Sequence, residues 1–534
     1  MWVSSTHTWG VLYILPVSAP LGALAVMTSP PTLERLSAGD TESIVSPLSF
    51  SLRLEAWMDQ YRYGLVALIV VAFVAFRVPS VYGRPVWYDE LATYYLVRTF
   101  SWSSICDALR LTADAQPPTY HFLQIPVLLL LGDDPRNLRW LTLLASCVSM
   151  VATFVWLRRT TSVAAAMAGV AMLAGSELGY YATEARPYAL LIAAVSLALA
   201  CRGLAWRVVW LAVAVSLHYY AFFLPLALAF TESSWRRRAT YALALCPLAI
   251  TLPAMQPTHV LALGGLFSAS LSSLFQTIPA LAGGSLYALE GVLFVAAACL
   301  APRQWRDWFP RDWTLWALIA MLPIFWLMGR LVTGVFFSRY AIVSLLGLAG
   351  LVAWFMDRLP HRAPLSVAFS LLVLGGSLSL EPGARAILRL GSGAEWDGRP
   401  TASLVDHALS TADQPVVMGQ FVYLDVFYHL RPAHRQQFHR LTVNRPSFTT
   451  DYAYQPGQTD AYSEMIGKYA GFTPKGADDW LKTHSSFTVV ALDQADWILA
   501  LCRQRGGTIT RISHGQMPAL YAVQMPAPKI IAVR

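Results

Sequence analysis

The apolar residues of this chain recur in runs of membrane-spanning length, and that repetition restricts the fold more than any single motif does. After a run at 64–81, further runs occupy about 140–157, 162–178, 187–201, 208–234, 239–256, 281–301, 313–333, 339–356 and 363–380. The hydrocarbon core of a bilayer needs about 20 apolar residues per helix, and in lipid only helices and closed barrels satisfy their own backbone groups. Charge supports the same reading. Charged residues make up 13% of the chain and hydrophobic ones 56%, where a soluble domain carries about 25% charged residues.

Arginine orients the runs. Short connections carry Arg158 and Arg159, Arg202 and Arg207, Arg236 to Arg238, Arg303, Arg306 and Arg311, and Arg358 and Arg362. Basic residues in short loops mark the cytoplasmic side. For all five clusters to share that side, 208–234 must cross twice, broken near His218-Tyr219-Tyr220 or at Pro225. The expectation is a polytopic α-helical membrane protein of about eleven spans over 64–380, with 82–139 as an outer loop. Residues 1–63 stay unassigned. The stretch 9–28 reads as a weak extra span, an interfacial segment or upstream sequence, and no Lys or Arg precedes it as in a signal peptide.

From 381 to 534 the apolar runs shrink to strand length, at Val416–Met418, Phe487–Leu492 and Leu520–Val523, with helical stretches at Asp406–Ser410 and Asp493–Gln504. This pattern predicts a small α/β domain on the outer face. The net charge of +8 rests on arginine, since the four lysines all lie beyond position 467. Its expected partners are lipid phosphate and the inner leaflet, not nucleic acid. Six scattered cysteines without a CxxC argue against a cysteine metal cage.

Polar groups gather on the outer side of this topology. Trp87-Tyr88-Asp89-Glu90 opens the first outer loop. Asp114 and Gln116-Pro117-Pro118 precede a short apolar run, Thr119–Leu131, that cannot cross a bilayer. Tyr180-Tyr181-Ala182-Thr183-Glu184-Ala185-Arg186-Pro187-Tyr188, His218-Tyr219-Tyr220 and Ser338-Arg339-Tyr340 complete the set. Each has an ordinary reading: a solvated acid pair, a local Glu184–Arg186 pair, a core histidine, a snorkelling arginine. Their convergence at one depth is what points to a site.

In that order the motifs resemble the C-type glycosyltransferases. The branch they are most similar to is the PMT-like one, the protein O-mannosyltransferases and lipid A aminoarabinose transferases of glycosyltransferase family 39. The resemblance covers about 64–360 and is strongest over 85–220. It implies a catalytic base at Asp89 with Glu90 beside it, a polyprenyl-phosphate sugar donor, and inversion at the anomeric carbon. Some relatives place a Glu-Lys pair before the two prolines and bind a metal there. Here Ala115-Gln116 stands in that place with Asp114 one step earlier, so a divalent metal stays open, with Asp114 and His218 as its candidate ligands. No other cofactor is expected.

The chemistry fits these residue types. A carboxylate can take the proton of an attacking hydroxyl, and the departing lipid phosphate needs a cation. Arg339 and Arg186 are candidates for that phosphate, with Glu184, His218, Tyr219, Tyr340 and Asp114 for phosphate or sugar, and Tyr181 and Tyr188 framing the sugar. The reading is a hexosyl or pentosyl transferase of the inner (plasma) membrane working in cell envelope glycan biosynthesis. Its acceptor would be a glycolipid, a glycan or a protein. The competing readings are a glycolipid flippase or transporter, a glycan polymerase, and a membrane scaffold.

Overall fold

A computed structural model describes residues 47–110, 114, 116–251, 270–282, 310, 312–333, 336–359, 361–380, 397–412, 414–419, 422–442, 464–491, 496–513 and 518–526. The stretch 9–28, the run 281–301 beyond Ala282, and Arg303, Arg306 and Arg311 lie outside the described residues.

The chain is mainly helical. In order come α1 (Pro47–Gln60), α2 (Arg62–Gly83), α3 (Tyr88–Val97), α4 (Trp102–Arg110), α5 (Pro118–Leu131), α6 (Arg139–Leu157) and α7 (Val163–Ala174). Helices Tyr188–Ala200, Leu204–Leu217, Phe223–Phe230, Trp313–Met328, Ser344–Arg358 and Arg362–Leu380 follow. Three described stretches are long and apolar enough to cross a membrane: Arg62–Gly83, Pro135–Leu157 and Trp313–Leu331. Shorter apolar helices pack among them.

These helices meet through small and polar residues, as helices in lipid do when no hydrophobic drive separates them from solvent. At Gly169 a Cβ would come within 2.7 Å of the Ala349 carbonyl oxygen, so α7 and Ser344–Arg358 touch backbone to backbone. Thr153 of α6 meets Ser196 at 3.2 Å. The run 208–234 is broken where expected. Leu204–Leu217 stops at His218, whose φ of −152° is extended, and a 3-10 turn Tyr219–Phe222 leads into Phe223–Phe230.

One end of the bundle collects the arginines. Arg158 pairs with Asp59 at 3.0 Å, Arg362 with Glu55 at 2.8 Å, and Arg207 with Glu232 at 3.4 Å. Two of these pairs fasten α1, whose sequence had no assigned place, to that end. The opposite end carries α3 to α5 and the turn 175–187.

Beyond Asp397 the chain forms one six-stranded sheet in the order β3-β2-β1-β4-β6-β5. The strands are β1 (Val416–Met418), β2 (Phe438–Thr442), β3 (Lys475–Gly476), β4 (Ser486–Ala491), β5 (Thr508–Arg511) and β6 (Ala519–Gln524). β1 runs parallel to β2 and β4, and β2 parallel to β3, while β6 runs antiparallel to β4 and β5. Strands β1 and β4 are almost wholly buried, as strands covered on both faces must be. The domain touches the segment that carries α3 and α4. The Tyr469 hydroxyl donates to the Ser104 carbonyl at 3.2 Å, and Tyr428 stands edge-on to Tyr94 of α3 at 6.4 Å.

Candidate active site

The site has a sealed floor. α3 starts three residues after Pro85, and Glu90, in its first turn, accepts the Trp87 N–H at 3.4 Å, half of a capping box. The rest of the Glu90 carboxylate faces Arg139, the first residue of α6. Arg139 Nε donates to Oε1 at 2.7 Å and Nη2 to Oε2 at 2.5 Å. Its other donors reach the carbonyls of Val81 at 2.8 Å, Arg84 at 3.0 Å and Pro85 at 2.8 Å. An arginine has five N–H groups, and all five are used. The Ala185 N–H closes on Oε1 at 2.8 Å. Both side chains are buried, and Arg139 outweighs the burial penalty to hold the Glu90 carboxyl below its usual range.

A second pair lies beside the first. Arg186 Nη1 meets Asp114 Oδ2 at 2.8 Å, and Nη2 meets Oδ1 at 3.3 Å. His121, one turn into α5, approaches Oδ2 at 3.4 Å. Burial alone would raise the Asp114 carboxyl; Arg186 and His121 win and hold it well below the carboxylate range.

Asp89 differs from both. It lies at the N-terminal turn of α3, where helix dipoles favour an anion. Its Oδ2 is 3.8 Å from Arg186 and 3.6 Å from Arg339, distances of attraction without a fitted hydrogen bond. The side chain is 21% exposed. Of the expected catalytic pair, then, Asp89 has accessible oxygens and Glu90 has none. Arg339 lies over the Phe337 ring at 4.6 Å, and its Nε is buried without a hydrogen-bond partner among the described residues.

Aromatic rings line the space next to these charges. Tyr181 and Tyr188 are 4.8 Å apart, Tyr188 and His218 5.7 Å, His218 and Tyr340 5.7 Å, and Tyr340 and Tyr220 5.1 Å. The Tyr188 hydroxyl is buried with no partner among the described residues. Tyr219 is outside this ring set, within electrostatic reach of Asp114. Glu184 is 1% exposed and neither of its oxygens has a hydrogen-bond partner among the described residues.

These donors do not fit a resident divalent metal. Asp114 is already neutralised by Arg186, and His218 Nδ1 accepts the Tyr220 N–H at 3.3 Å. Among the described residues no group of three His, Cys, Asp or Glu side chains could hold an ion.

Arg139, His121 and Arg84 belong to the site but carry no motif of their own, and Tyr220 lies in the His218-Tyr219-Tyr220 motif without being singled out there. Arg139 had one signal: an arginine opening a span directly after the acid-bearing loop. Two cavities lie away from this cluster. One of about 170 Å³ sits at the arginine-rich end beside Arg159, Arg207 and Asp312. The other, about 380 Å³, is a groove on the C-terminal sheet domain between Arg399, His407 and Arg431.

No protein-family model matches the sequence, and no curated protein does. Solved structures do. The chain is similar to ArnT from Cupriavidus metallidurans in the apo state, with a TM-score of 0.53 and 14% identity over 86% of this chain and 98% of that one. The same enzyme bound to undecaprenyl phosphate superposes at a TM-score of 0.51, with the same identity and coverage. The chain therefore has the C-type glycosyltransferase fold.

Proposed function

We propose that this protein is an integral-membrane glycosyltransferase that moves a sugar from a polyprenyl-phosphate donor to an acceptor hydroxyl, with inversion and with Asp89 as general base. One observation carries the reading. Of four carboxyl groups in one cluster, two are locked in buried arginine pairs and one is buried unpaired. Asp89 alone is part-exposed, with two guanidinium groups near it but not fitted to it. The ArnT relative with undecaprenyl phosphate supports a lipid phosphate as the carrier.

Each part has a physical role. An acceptor hydroxyl at hydrogen-bond distance from Asp89 loses its proton to the carboxylate as its oxygen attacks the anomeric carbon. The sugar passes through an oxocarbenium-like state that nearby negative charge favours. The bond to the phosphate oxygen breaks on the opposite face, and the charge that collects there meets Arg339, with Arg186 behind it. Tyr188, His218, Tyr220 and Tyr340 form the wall against which the sugar lies. Glu90 positions: through Arg139 it ties α3 to the end of α2 and to the 185 turn.

The topology follows the same reading. About eleven spans place the arginine-rich end in the cytoplasm and the Asp89 cluster with the sheet domain outside, where lipid-linked sugars replace nucleotide donors. A reporter fused after Thr411 should be active only in the periplasm or its equivalent; cytoplasmic activity would reverse the orientation. The activity itself is tested by offering purified protein a panel of polyprenyl-phosphate sugars and measuring release of free lipid phosphate. No release from any donor, in the presence of glycolipid, glycan and peptide acceptors, would refute the reading.

A further inference from the structure

Glu184 is held differently from every carboxyl around it. The chain on both sides of it is pinned. The Thr183 hydroxyl and carbonyl accept from Arg84 at 2.9 and 3.3 Å, the Ala185 N–H binds Glu90 at 2.8 Å, and Arg186 binds Asp114. In the middle of this rigid turn the Glu184 carboxyl is buried, and neither oxygen has a hydrogen-bond partner among the described residues. A structural carboxylate at such depth would be paired, as Glu90 and Asp114 are. Leaving one ionised and unpaired is strongly disfavoured.

Charges of both signs reach Glu184. Arg84 approaches from the end of α2 and Arg339 from the turn before Ser344–Arg358, against Asp89 and Glu90 from α3. Tyr120 of α5 and Tyr181 of its own segment also lie within its electrostatic reach. With two cations set against two anions, burial decides, and the carboxyl is pushed up to about 8. At neutral pH it is mostly a neutral acid with one O–H to give and no group among the described residues to receive it.

We propose, resting on the function put forward above, that Glu184 is the hydrogen-bond donor to the phosphate oxygen that leaves the sugar. Asp89, part-exposed beside Arg186 and Arg339, takes the proton, and Glu184, buried without a hydrogen-bond partner among the described residues, donates the hydrogen bond. As the acceptor oxygen bonds to the anomeric carbon, its proton passes to Asp89. The electron pair of the breaking carbon–oxygen bond stays on the phosphate oxygen, which the Glu184 O–H stabilises. The second ionisation of a phosphate monoester lies near about 6, below the value of about 8 at Glu184. The proton therefore remains on the carboxyl, and Glu184 contributes a hydrogen bond instead of a transferred proton. Asp89 releases the proton it took through the part-exposed mouth. An ionised Glu184 would instead repel the phosphate that Arg339 attracts, so protonation and phosphate binding are coupled.

The test is binding, independent of turnover. Undecaprenyl phosphate is titrated into the full-length protein in detergent, followed by tryptophan fluorescence, from about pH 6.5 to 9.5. If only the neutral form binds, wild-type affinity should hold to about pH 8 and then fall roughly tenfold per pH unit as that form is depleted. Glu184→Gln, which keeps a neutral N–H donor, should bind with a flat profile. Glu184→Ala should bind more weakly at every pH, also flat. A wild type that binds equally at about pH 7 and 9.5 overturns the role of Glu184, and so does a Gln variant that keeps the alkaline fall. The wild-type profile decides by itself if a variant does not fold. A wild type that binds no lipid phosphate at any pH removes the donor reading, and this role with it.

Discussion

The floor and the mouth of this site are adjacent residues of one helix turn with opposite physics. At the floor, Glu90 and Arg139 pair in a dry setting, and backbone groups satisfy what each has left. At the mouth, Asp89 sits beside Arg186 and Arg339 at distances that satisfy no one. A sealed pair fixes geometry but has no capacity left for a substrate. A loose, part-wet carboxylate has that capacity and would serve poorly as a fastener. On the proposed function, the sequence Asp-Glu places a working group and its anchor side by side. Helix geometry separates them, turning neighbouring side chains about 100° apart.

The comparison breaks most readily at the floor. Arg139→Met strands the Glu90 carboxylate in a dry interior, and removing one partner of such a pair costs about 3–5 kcal/mol. The expected outcome is loss of folded protein in detergent by size-exclusion chromatography, not a folded but inactive enzyme. Full recovery of folded, active protein would show that the pair is not the anchor.

At the mouth, Arg339→Lys keeps the charge and removes the planar fork. Transfer should fall by about a hundredfold, in the range found when a donor to developing charge is lost, with the melting temperature unchanged. Activity within a factor of two of wild type would make Arg339 a lipid anchor.

Asp114 sharpens the comparison through pH. Its folded-state carboxyl lies below the usual value, so its contribution to stability is complete above an unfolded value of about 3.9. That contribution fades as pH falls through the acid range toward the folded value. Thermal unfolding between about pH 6 and 3 should show a slope that Asp114→Asn flattens. An unchanged slope would place the acid sensitivity elsewhere. The smallest effect should come from Tyr220→Phe, which keeps the ring against His218 and Tyr340. It should change the Michaelis constant for the donor by no more than a few-fold; a collapse of turnover would give the hydroxyl a direct role.

Much of this architecture was legible in the sequence, for physical reasons. Apolar runs and arginine loops report the solvent a segment lives in, so the bundle, its arginine-rich end and the break at His218 could all be read. So could three strands of the C-terminal sheet, which are short buried apolar runs between turn signals. The division of labour between Asp89 and Glu90 could not be read, because it depends on Arg139, 49 positions away in sequence and brought close by packing. That Tyr220 meets the His218 and Tyr340 rings while Tyr219 lies within electrostatic reach of Asp114 follows from rotation within a 3-10 turn, on which the dipeptide is silent. Likewise, β2, β3 and β5 are short or polar at the sheet's edge side, and no alternation marks them.

The most direct measurement replaces Asp89 by Asn, a change that removes the base while keeping its volume. With a donor lipid that the wild type consumes, the account predicts that Asp89→Asn inserts into the membrane, melts like wild type and still binds undecaprenyl phosphate, yet releases lipid phosphate at no more than about a hundredth of the wild-type rate. Release at the wild-type rate would contradict it and move the base to another residue.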